Sequence, residues 1–233
     1  MKASLPAVLL PTMLLVFASP MLLADGGDIS KVNGSTRVET GRQVGEVETV
    51  NGSIIIEESA TAGSIDTVNG SIRIGRGSTV GAVESVNGSV TVDHDVEMES
   101  IEVVNGQVKL REGARVDGNI ISVNGAIKLE PRVVVAGRVE NTNGAIKLDG
   151  AQTGGIKTVS GDIVVGKGSR VDGDVVVEKK RGFNLFGKQR VPKVVIGPGA
   201  EVTGTMRFER EVELHVSDRA RVGKIIGAKP IRD

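Results

Sequence analysis

Few residues in this chain are suited to catalysis or metal binding. The 233 residues include two histidines, His94 and His215, and no cysteine, which excludes disulfides and cysteine-based metal or redox sites. The run Asp93, His94 and Asp95 joins two carboxylates to an imidazole, a combination that can bind Ca²⁺ or a transition metal. Other repeats of the chain carry Gly, Arg or Glu at this place, so the sequence favours a solvated bend. We expect no metal site and no cofactor.

Catalytic chemistry has little support elsewhere. Acyltransferases built from hexapeptide repeats have triangular coils of similar length, but they need a His general base in a cleft between chains. His215 alternates with Leu214 and Val216, so we expect its side chain on the outer face of a strand. The absence of Trp and Tyr disfavours a site that stacks on sugars. The sequence has no basic stripe with interleaved aromatic residues, so we expect no binding to nucleic acid. The sequence predicts a protein that is not an enzyme, with a hexapeptide-type acyltransferase as the least favoured alternative.

The most individual candidate for binding is the segment 179–190, which fits no repeat and is predicted to be a loop. It carries five basic residues and two phenylalanines. Exposed Phe beside Lys and Arg can dock on an anionic membrane surface or on an envelope protein. The alternative is a loop whose aromatic rings fold back over a coil edge. The candidate binding residues are Lys179, Lys180, Arg181, Phe183, Phe186, Lys188 and Arg190.

These residues are set in a repeat that determines the fold. Asn-Gly recurs at a nearly constant interval, and Ser160-Gly161 takes the next place in the series. A fixed period of roughly 20 residues is the signature of a solenoid. The asparagines of the repeat are Asn33, Asn51, Asn69, Asn87, Asn105, Asn124 and Asn143.

Within each repeat the pattern is that of β-strands. Ile72 and Ile74 alternate with polar residues, a second apolar pair follows at Val80 and Val83, and a third stretch leads into the next Asn-Gly. This predicts an all-β fold: a single-stranded parallel β-helix (β-solenoid) with triangular coils of about 18 residues, about ten of them. We expect the regular solenoid over residues 25–178 and further coils over residues 191–233.

The repeated Asn is predicted to have a structural role. Each Asn should lie above the previous one, about 4.8 Å along the stack, so that the amides form an internal ladder. Four of the sites read Asn-Gly-Ser, which is also a glycosylation sequon. The ladder is the better interpretation because the Asn recurs where Ser does not follow.

The N-terminal residues predict export. Lys2 is followed by the nearly apolar run from Leu5 to Leu23, and Ala24 precedes a polar segment. Residues 1–24 therefore read as a cleaved signal peptide, which places the protein in the periplasm or at the cell surface. The alternative is an uncleaved segment that anchors the chain to the membrane.

The distribution of charge and the predicted ends of the rod bear on assembly. Residues 25–105 hold 14 acidic and 5 basic residues, whereas residues 106–233 hold 15 acidic and 23 basic residues. Open strand edges at the ends of a solenoid must be capped or paired, and no capping helix is visible in the sequence. We therefore expect end-to-end self-association, which salt would weaken if opposite charges drive it. The alternative is a monomeric adhesin that binds through its long faces.

Two family resemblances follow from these motifs. The Val-Asn-Gly-Ser-Ile units between Val50 and Val165 resemble the bacterial adhesin-type β-solenoid family of exported repeat proteins. Val171-Asp172-Gly173-Asp174-Val175 and Val195-Ile196-Gly197-Pro198-Gly199 resemble the bactofilin-type, polymer-forming cytoskeletal proteins. The second resemblance implies right-handed coils that polymerise through apolar end contacts, and neither implies catalytic residues. The export signal departs from bactofilins, which are typically cytoplasmic.

Overall fold

The computed structural model describes residues 26–179 and 190–232. The predicted signal peptide and most of the insertion, including Lys180, Arg181, Phe183, Phe186 and Lys188, lie outside the described residues. All the regular structure within the described ranges is β-strand.

The strands are short and follow one another at regular intervals. In chain order they are β1 (Ile29–Asn33), β2 (Thr36–Val38), β3 (Val47–Asn51), β4 (Ile54–Ile56), β5 (Thr61–Ala62), β6 (Ile65–Asn69), β7 (Ile72–Ile74), β8 (Thr79–Asn87), β9 (Val90–Val92), β10 (Glu97–Asn105), β11 (Val108–Leu110), β12 (Arg115–Val116), β13 (Ile120–Asn124), β14 (Ile127–Leu129), β15 (Val134–Asn143), β16 (Ile146–Leu148), β17 (Gln152–Thr158), β18 (Ile163–Val165), β19 (Arg170–Val171), β20 (Val175–Val177), β21 (Lys193–Ile196), β22 (Glu201–Val202), β23 (Met206–Phe208), β24 (Glu213–Val216), β25 (Arg221–Val222), β26 (Ile225–Ile226) and β27 (Ile231–Arg232).

The strands stack into a parallel β-solenoid, as the sequence predicts. The first face of each coil follows the Asn-Gly turn, and its eleven strands form one sheet, from β2 at one edge to β27 at the other. The second and third faces share a 16-stranded sheet, in which long strands such as β8 and β10 run through the bend between them. Eleven strands on the first face correspond to eleven coils, one more than expected, because the last coil carries no recognisable repeat.

Alternation of side chains builds the core. In β7 the side chains of Ile72 and Ile74 are buried and Arg73 between them is exposed, and Val80 and Val83 are buried on the other two faces. Each apolar residue stacks on its equivalent in the next coil, as Ile72 does on Val90. Burying one such side chain contributes about 2 kcal/mol, and repetition makes the stack additive from coil to coil.

One interruption breaks this regularity. Ile163 pairs with Val194 on the first face, and Arg170 pairs with Glu201 on the second face. On both faces, the number of residues between paired positions thus exceeds that of an ordinary coil by about the length of the segment 179–190. In the chain, the extra residues lie between β20 and β21, the place at which the other coils carry Asn-Gly or Ser-Gly.

Candidate functional site

The corner between the third and first faces carries the asparagine ladder. In each pair of consecutive asparagines the side-chain Nδ2 of the later residue donates to Oδ1 of the earlier one, over distances between 2.9 and 3.2 Å. The predicted ladder of stacked amides is thus present, but its seven side chains are exposed, so the expectation that it lies inside the rod is wrong. Because the chain turns after the buried Thr49, the amide of Asn51 projects outside the corner.

The glycines of this corner approach the neighbouring coil too closely for any side chain. A Cβ atom built on Gly88 would lie 1.8 Å from the carbonyl oxygen of Gly70. The same holds from Gly52 to Gly161, with distances between 1.8 and 2.2 Å. The close approach therefore requires Gly even at Gly161, where Asn has been lost from the preceding position.

A second polar column lies inside this corner, and the sequence analysis did not identify it. It consists of the residues two positions before each Asn of the repeat from Asn51 onward, or before its equivalent Ser160, most of them small and polar. The hydroxyls of Thr49 and Thr67 donate to glycine carbonyls of the preceding coil at 3.4 Å. The recurrence of Thr, Ser or Asn two positions before the Asn of the repeat could have predicted this column from the sequence. The column is Thr49, Thr67, Ser85, Val103, Ser122, Asn141 and Thr158, all of them buried.

The base of the insertion is fixed to the rod. Arg210, one coil further on, donates from its guanidinium to the carbonyls of Val159 and Arg190, at 3.1 and 2.9 Å. Arg190 also forms an ion pair with Asp162, and the backbone N–H of Lys179 donates to the carboxylate of Glu209 at 3.3 Å. Of the predicted binding residues, Lys179 and Arg190 thus stand at the two ends of the insertion, in contact with the solenoid.

The bend at Asp93, His94 and Asp95 does not assemble a metal site. The imidazole of His94 contacts Asp93, and Arg111 approaches the same carboxylate at 3.5 Å. Partial burial opposes ionisation of Asp93, but hydrogen bonds from His94 together with Arg111 lower its pKa. Asp95 is exposed and has a positive φ of 56°. Among the described residues, no three His, Cys, Asp or Glu side chains are grouped to hold a metal ion.

The second histidine lies on the outer face of β24, as its alternation predicts. His215 is half-buried between the buried Leu214 and Val216, and its Nε2 lies 2.6 Å from Oε1 of Glu213. It lines an open groove of about 510 Å³, together with residues such as Pro198 and Asp218. Five strands of the first face separate β24 from β9, which precedes His94, so the structure does not bring the two imidazoles together.

A row of carboxylates runs along the third face in the acidic half of the rod. Glu48, Asp66, Glu84 and Glu102 occupy the same outward position in consecutive coils. Burial, together with the charge of Glu84, raises the pKa of Asp66 to about 6. Burial and the charge of Glu102 also raise the pKa of Glu84. Burial and the stacking of carboxylates at the coil spacing thus oppose ionisation of Asp66 and Glu84.

The C-terminal end of the described rod leaves its core uncovered. Val202 and Met206 are almost fully buried because another coil lies above them. Val222 and Ile225 occupy the same columns in the last coil and are only partly buried. Strands β25, β26 and β27 each pair on one side alone, so their other edge has no partner among the described residues.

The N-terminal end of the described rod also has open strand edges. Strands β1 and β2 pair only with β3 and β4. Ile29 in β1 is partly buried, and the hydroxyl of the buried Thr36 has no hydrogen-bond partner among the described residues. Val38 and Val44, apolar core residues of the first coil, are fully buried. Both ends therefore present open strand edges, but the uncovered apolar core lies at the C-terminal end.

Comparisons with protein-family models, with curated proteins and with solved structures found no match to this chain. The resemblances to adhesin-type solenoids and to bactofilins, and the right-handed winding, thus stay predictions. In the parts of the chain that the structure covers, no helix is long and apolar enough to cross a membrane.

Proposed function

We propose that this protein is a non-enzymatic, exported structural protein whose solenoid rods associate end to end and so form a scaffold of the cell envelope. The observation that carries the proposal is the uncovered core at the C-terminal end of the described rod, together with the open strand edges at both ends. Val222 and Ile225 at the C-terminal end are only partly buried, and the outer strand edges at both ends have no partner among the described residues. Such edges pair readily with another chain.

The parallel arrangement of the strands sets the geometry of this contact. All strands of a face run in the same direction, so the last coil of one copy offers the same pairing edge that each inner coil offers to the coil after it. One more coil could therefore pair with this C-terminal edge. The N-terminal edge of a second copy, β1 and β2, supplies that coil. The contact is head to tail and does not close, which gives an open filament.

The charges at the two ends favour an apolar contact over an electrostatic one. Residues 25–43 hold three acidic and three basic residues, and residues 213–233 hold three acidic and five basic residues. The two ends thus do not carry opposite net charge, although the two halves of the rod do. We therefore expect filaments to persist as the salt concentration rises, because salt screens charges but does not weaken apolar contacts.

Electron microscopy of the purified protein tests the proposal, with two substitutions in one strand. Ile225→Lys places a charge in the uncovered core column, and its long side chain can still reach solvent. Ile226→Lys is the matched control, because Ile226 lies in register with the exposed Arg207 and points sideways.

We expect filaments from the unsubstituted protein and from the Ile226→Lys variant, and short single rods from the Ile225→Lys variant. Filaments in all three samples would show that the uncovered core column is not the contact. Single rods from the unsubstituted protein would overturn assembly and support the monomeric adhesin instead.

Export rests on residues 1–24, and cell fractionation tests it. When the full chain is expressed, we expect to find it in the periplasm or at the cell surface with its N-terminal segment removed. A variant expressed without residues 1–24 is expected in the cytoplasm. A full-length chain in the membrane fraction would support an uncleaved anchor.

The insertion supports a second role, docking of the rod on an anionic membrane surface. Its two ends are fixed to the solenoid through Arg210, Asp162 and Glu209, and rigid scaffolds commonly present binding loops in this way. The variant with both Phe183→Ser and Phe186→Ser is expected to lose flotation with anionic vesicles while its thermal unfolding is unchanged. Flotation equal to that of the unsubstituted protein would contradict docking through these side chains.

A further inference from the structure

The seven Asn-Gly pairs of the ladder differ in how well the structure protects them from a reaction of this dipeptide. The backbone nitrogen that follows an Asn can attack the side-chain amide carbon, and Gly in that place offers no side chain to hinder the attack. In a folded protein the attack is slowed where the N–H and the amide are both held by hydrogen bonds, since these must first open.

Six of the pairs are held at both groups. In the pair Asn87-Gly88, Oδ1 of Asn87 accepts from Asn105 at 2.9 Å, and the N–H of Gly88 donates to the carbonyl of Asn105, also at 2.9 Å. The next coil supplies both partners in the same way for every pair from Asn33-Gly34 to Asn124-Gly125.

The last pair of the ladder, Asn143-Gly144, has neither protection among the described residues. The next coil carries Ser160 in place of Asn, so no amide donates to Oδ1 of Asn143. The N–H of Ser160 donates instead to the carbonyl of Thr142 at 2.9 Å, and that of Gly161 donates to Oγ1 of Thr158 at 3.0 Å. The N–H of Gly144 has no acceptor there, and Asn143 is exposed.

We propose that Asn143-Gly144 is the site at which this protein undergoes spontaneous deamidation, while the other six pairs of the ladder are protected. The deprotonated amide nitrogen of Gly144 attacks Cγ of Asn143. A bond between nitrogen and Cγ forms, the bond between Cγ and Nδ2 breaks, and ammonia leaves with the displaced electron pair and a proton. Water then opens the cyclic imide to aspartate or isoaspartate.

The modification alters the ladder at its end. Asn143 donates from Nδ2 to Oδ1 of Asn124 at 3.0 Å, and a carboxylate cannot donate this bond. Asn124 then loses one of its two protections. The change also places a negative charge, and for isoaspartate an extra backbone methylene, at this corner of the rod.

The chain contains its own control for the experiment. Asn124 and Asn143 are followed by the same five residues, Gly-Ala-Ile-Lys-Leu, so an unfolded chain should deamidate at both sites at nearly the same rate. The purified full chain is incubated at mildly alkaline pH, folded or in concentrated urea, and each Asn-Gly peptide is quantified by mass spectrometry.

We expect Asn143 to deamidate about tenfold faster than Asn124 in the folded protein, because it lacks one or two protective hydrogen bonds of about 1 kcal/mol each. In urea we expect the two asparagines to deamidate at the same rate. Equal rates in the folded protein, or a faster reaction at any of the other six sites, would overturn the proposal.

Substitution of Ser160 tests the cause. Ser160→Asn extends the ladder by one amide and is expected to slow the reaction at Asn143 toward the rate at Asn124. Ser160→Ala supplies no amide and should leave the rate at Asn143 unchanged. Equal rates of deamidation at Asn143 in the two variants would refute protection by the ladder. If a variant fails to fold, the comparison of Asn143 with Asn124 in the unsubstituted protein still tests the proposal.

Discussion

The close approach of the corner glycines predicts a large loss of stability from the smallest substitution. In Gly88→Ala the new Cβ would lie 1.8 Å from the carbonyl oxygen of Gly70, a backbone atom. Carbon–oxygen contacts in proteins are about 3.3 Å or longer, so the two coils must separate locally by about 1.5 Å.

This separation breaks the hydrogen bonds that cross the corner. The bond from the N–H of Gly70 to the carbonyl of Asn87 is 3.0 Å long, that from Asn87 Nδ2 to Asn69 is 3.1 Å, and that from the N–H of Ile72 to Ser89 is 3.0 Å. An opening of about 1.5 Å takes all three beyond the range of a hydrogen bond. At about 1 kcal/mol for each bond, the expected loss is about 3 kcal/mol.

Gly77→Ala is the control for the effect of removing a glycine. Gly77 has a positive φ of 63°, but a Cβ there would meet nothing closer than the Ser59 hydroxyl at 3.8 Å. The expected cost is about 1 kcal/mol of backbone strain.

Urea denaturation followed by circular dichroism compares the two variants with the unsubstituted protein, and amide hydrogen exchange locates the damage. Gly88→Ala should unfold at the lower urea concentration and expose the amides of Gly70 and Ile72 to exchange. If the two variants unfold together, the close approach is not the reason for Gly at this corner.

Three further predictions concern the polar groups of the rod. Burial raises the pKa of Asp66 from its ordinary 3.8 to about 6, so its contribution to stability is present at low pH and is lost as the pH rises between these values. Asp66→Asn should therefore raise the free energy of unfolding, measured in urea at neutral pH, by about 1 kcal/mol after allowance for partial exposure. It should also flatten the pH dependence of this free energy, whereas the control Glu58→Gln, on an exposed bend, should have neither effect. Asn87→Ala removes two amide bonds and should cost about 1 to 2 kcal/mol, and Asn33→Ala, which removes one, should cost about half as much by the same assay; equal costs would contradict the ladder. Arg210→Met should accelerate proteolysis within residues 179–190 without a change in the urea midpoint of the remaining coils, and an unchanged proteolysis rate would show that the guanidinium does not hold the base of the insertion.

Much of the fold follows from the period of the sequence. In a parallel solenoid the neighbour of each residue is the residue one repeat further on, so the spacing of Asn-Gly predicts the strand register directly. The pairing of Asn51 with Asn69 and of Ile72 with Val90 needs no information beyond this period. The alternation of Ile72 and Ile74 with polar residues predicts which side chains form the core, because alternation is fixed within a strand.

The corners could not be predicted in the same way, since alternation ends where the chain turns. The sequence analysis placed the asparagines inside the rod, whereas the structure places Thr49 and its equivalents inside and the asparagines outside. The bend at Asp93, His94 and Asp95 likewise contained the residue types of a metal site, and only the packing of His94 and Arg111 against Asp93 decided their arrangement.

The sequence by itself therefore determined the class of fold, the register and the core of this protein, because all three depend on one repeated interval. The tertiary structure alone decided which corner groups meet atoms of another coil. The glycine–carbonyl contact at Gly88, the uncovered column at Ile225 and the unheld N–H of Gly144 each depend on the presence or absence of a neighbouring coil. Such contacts join atoms that are a whole repeat apart, and a local pattern does not specify them.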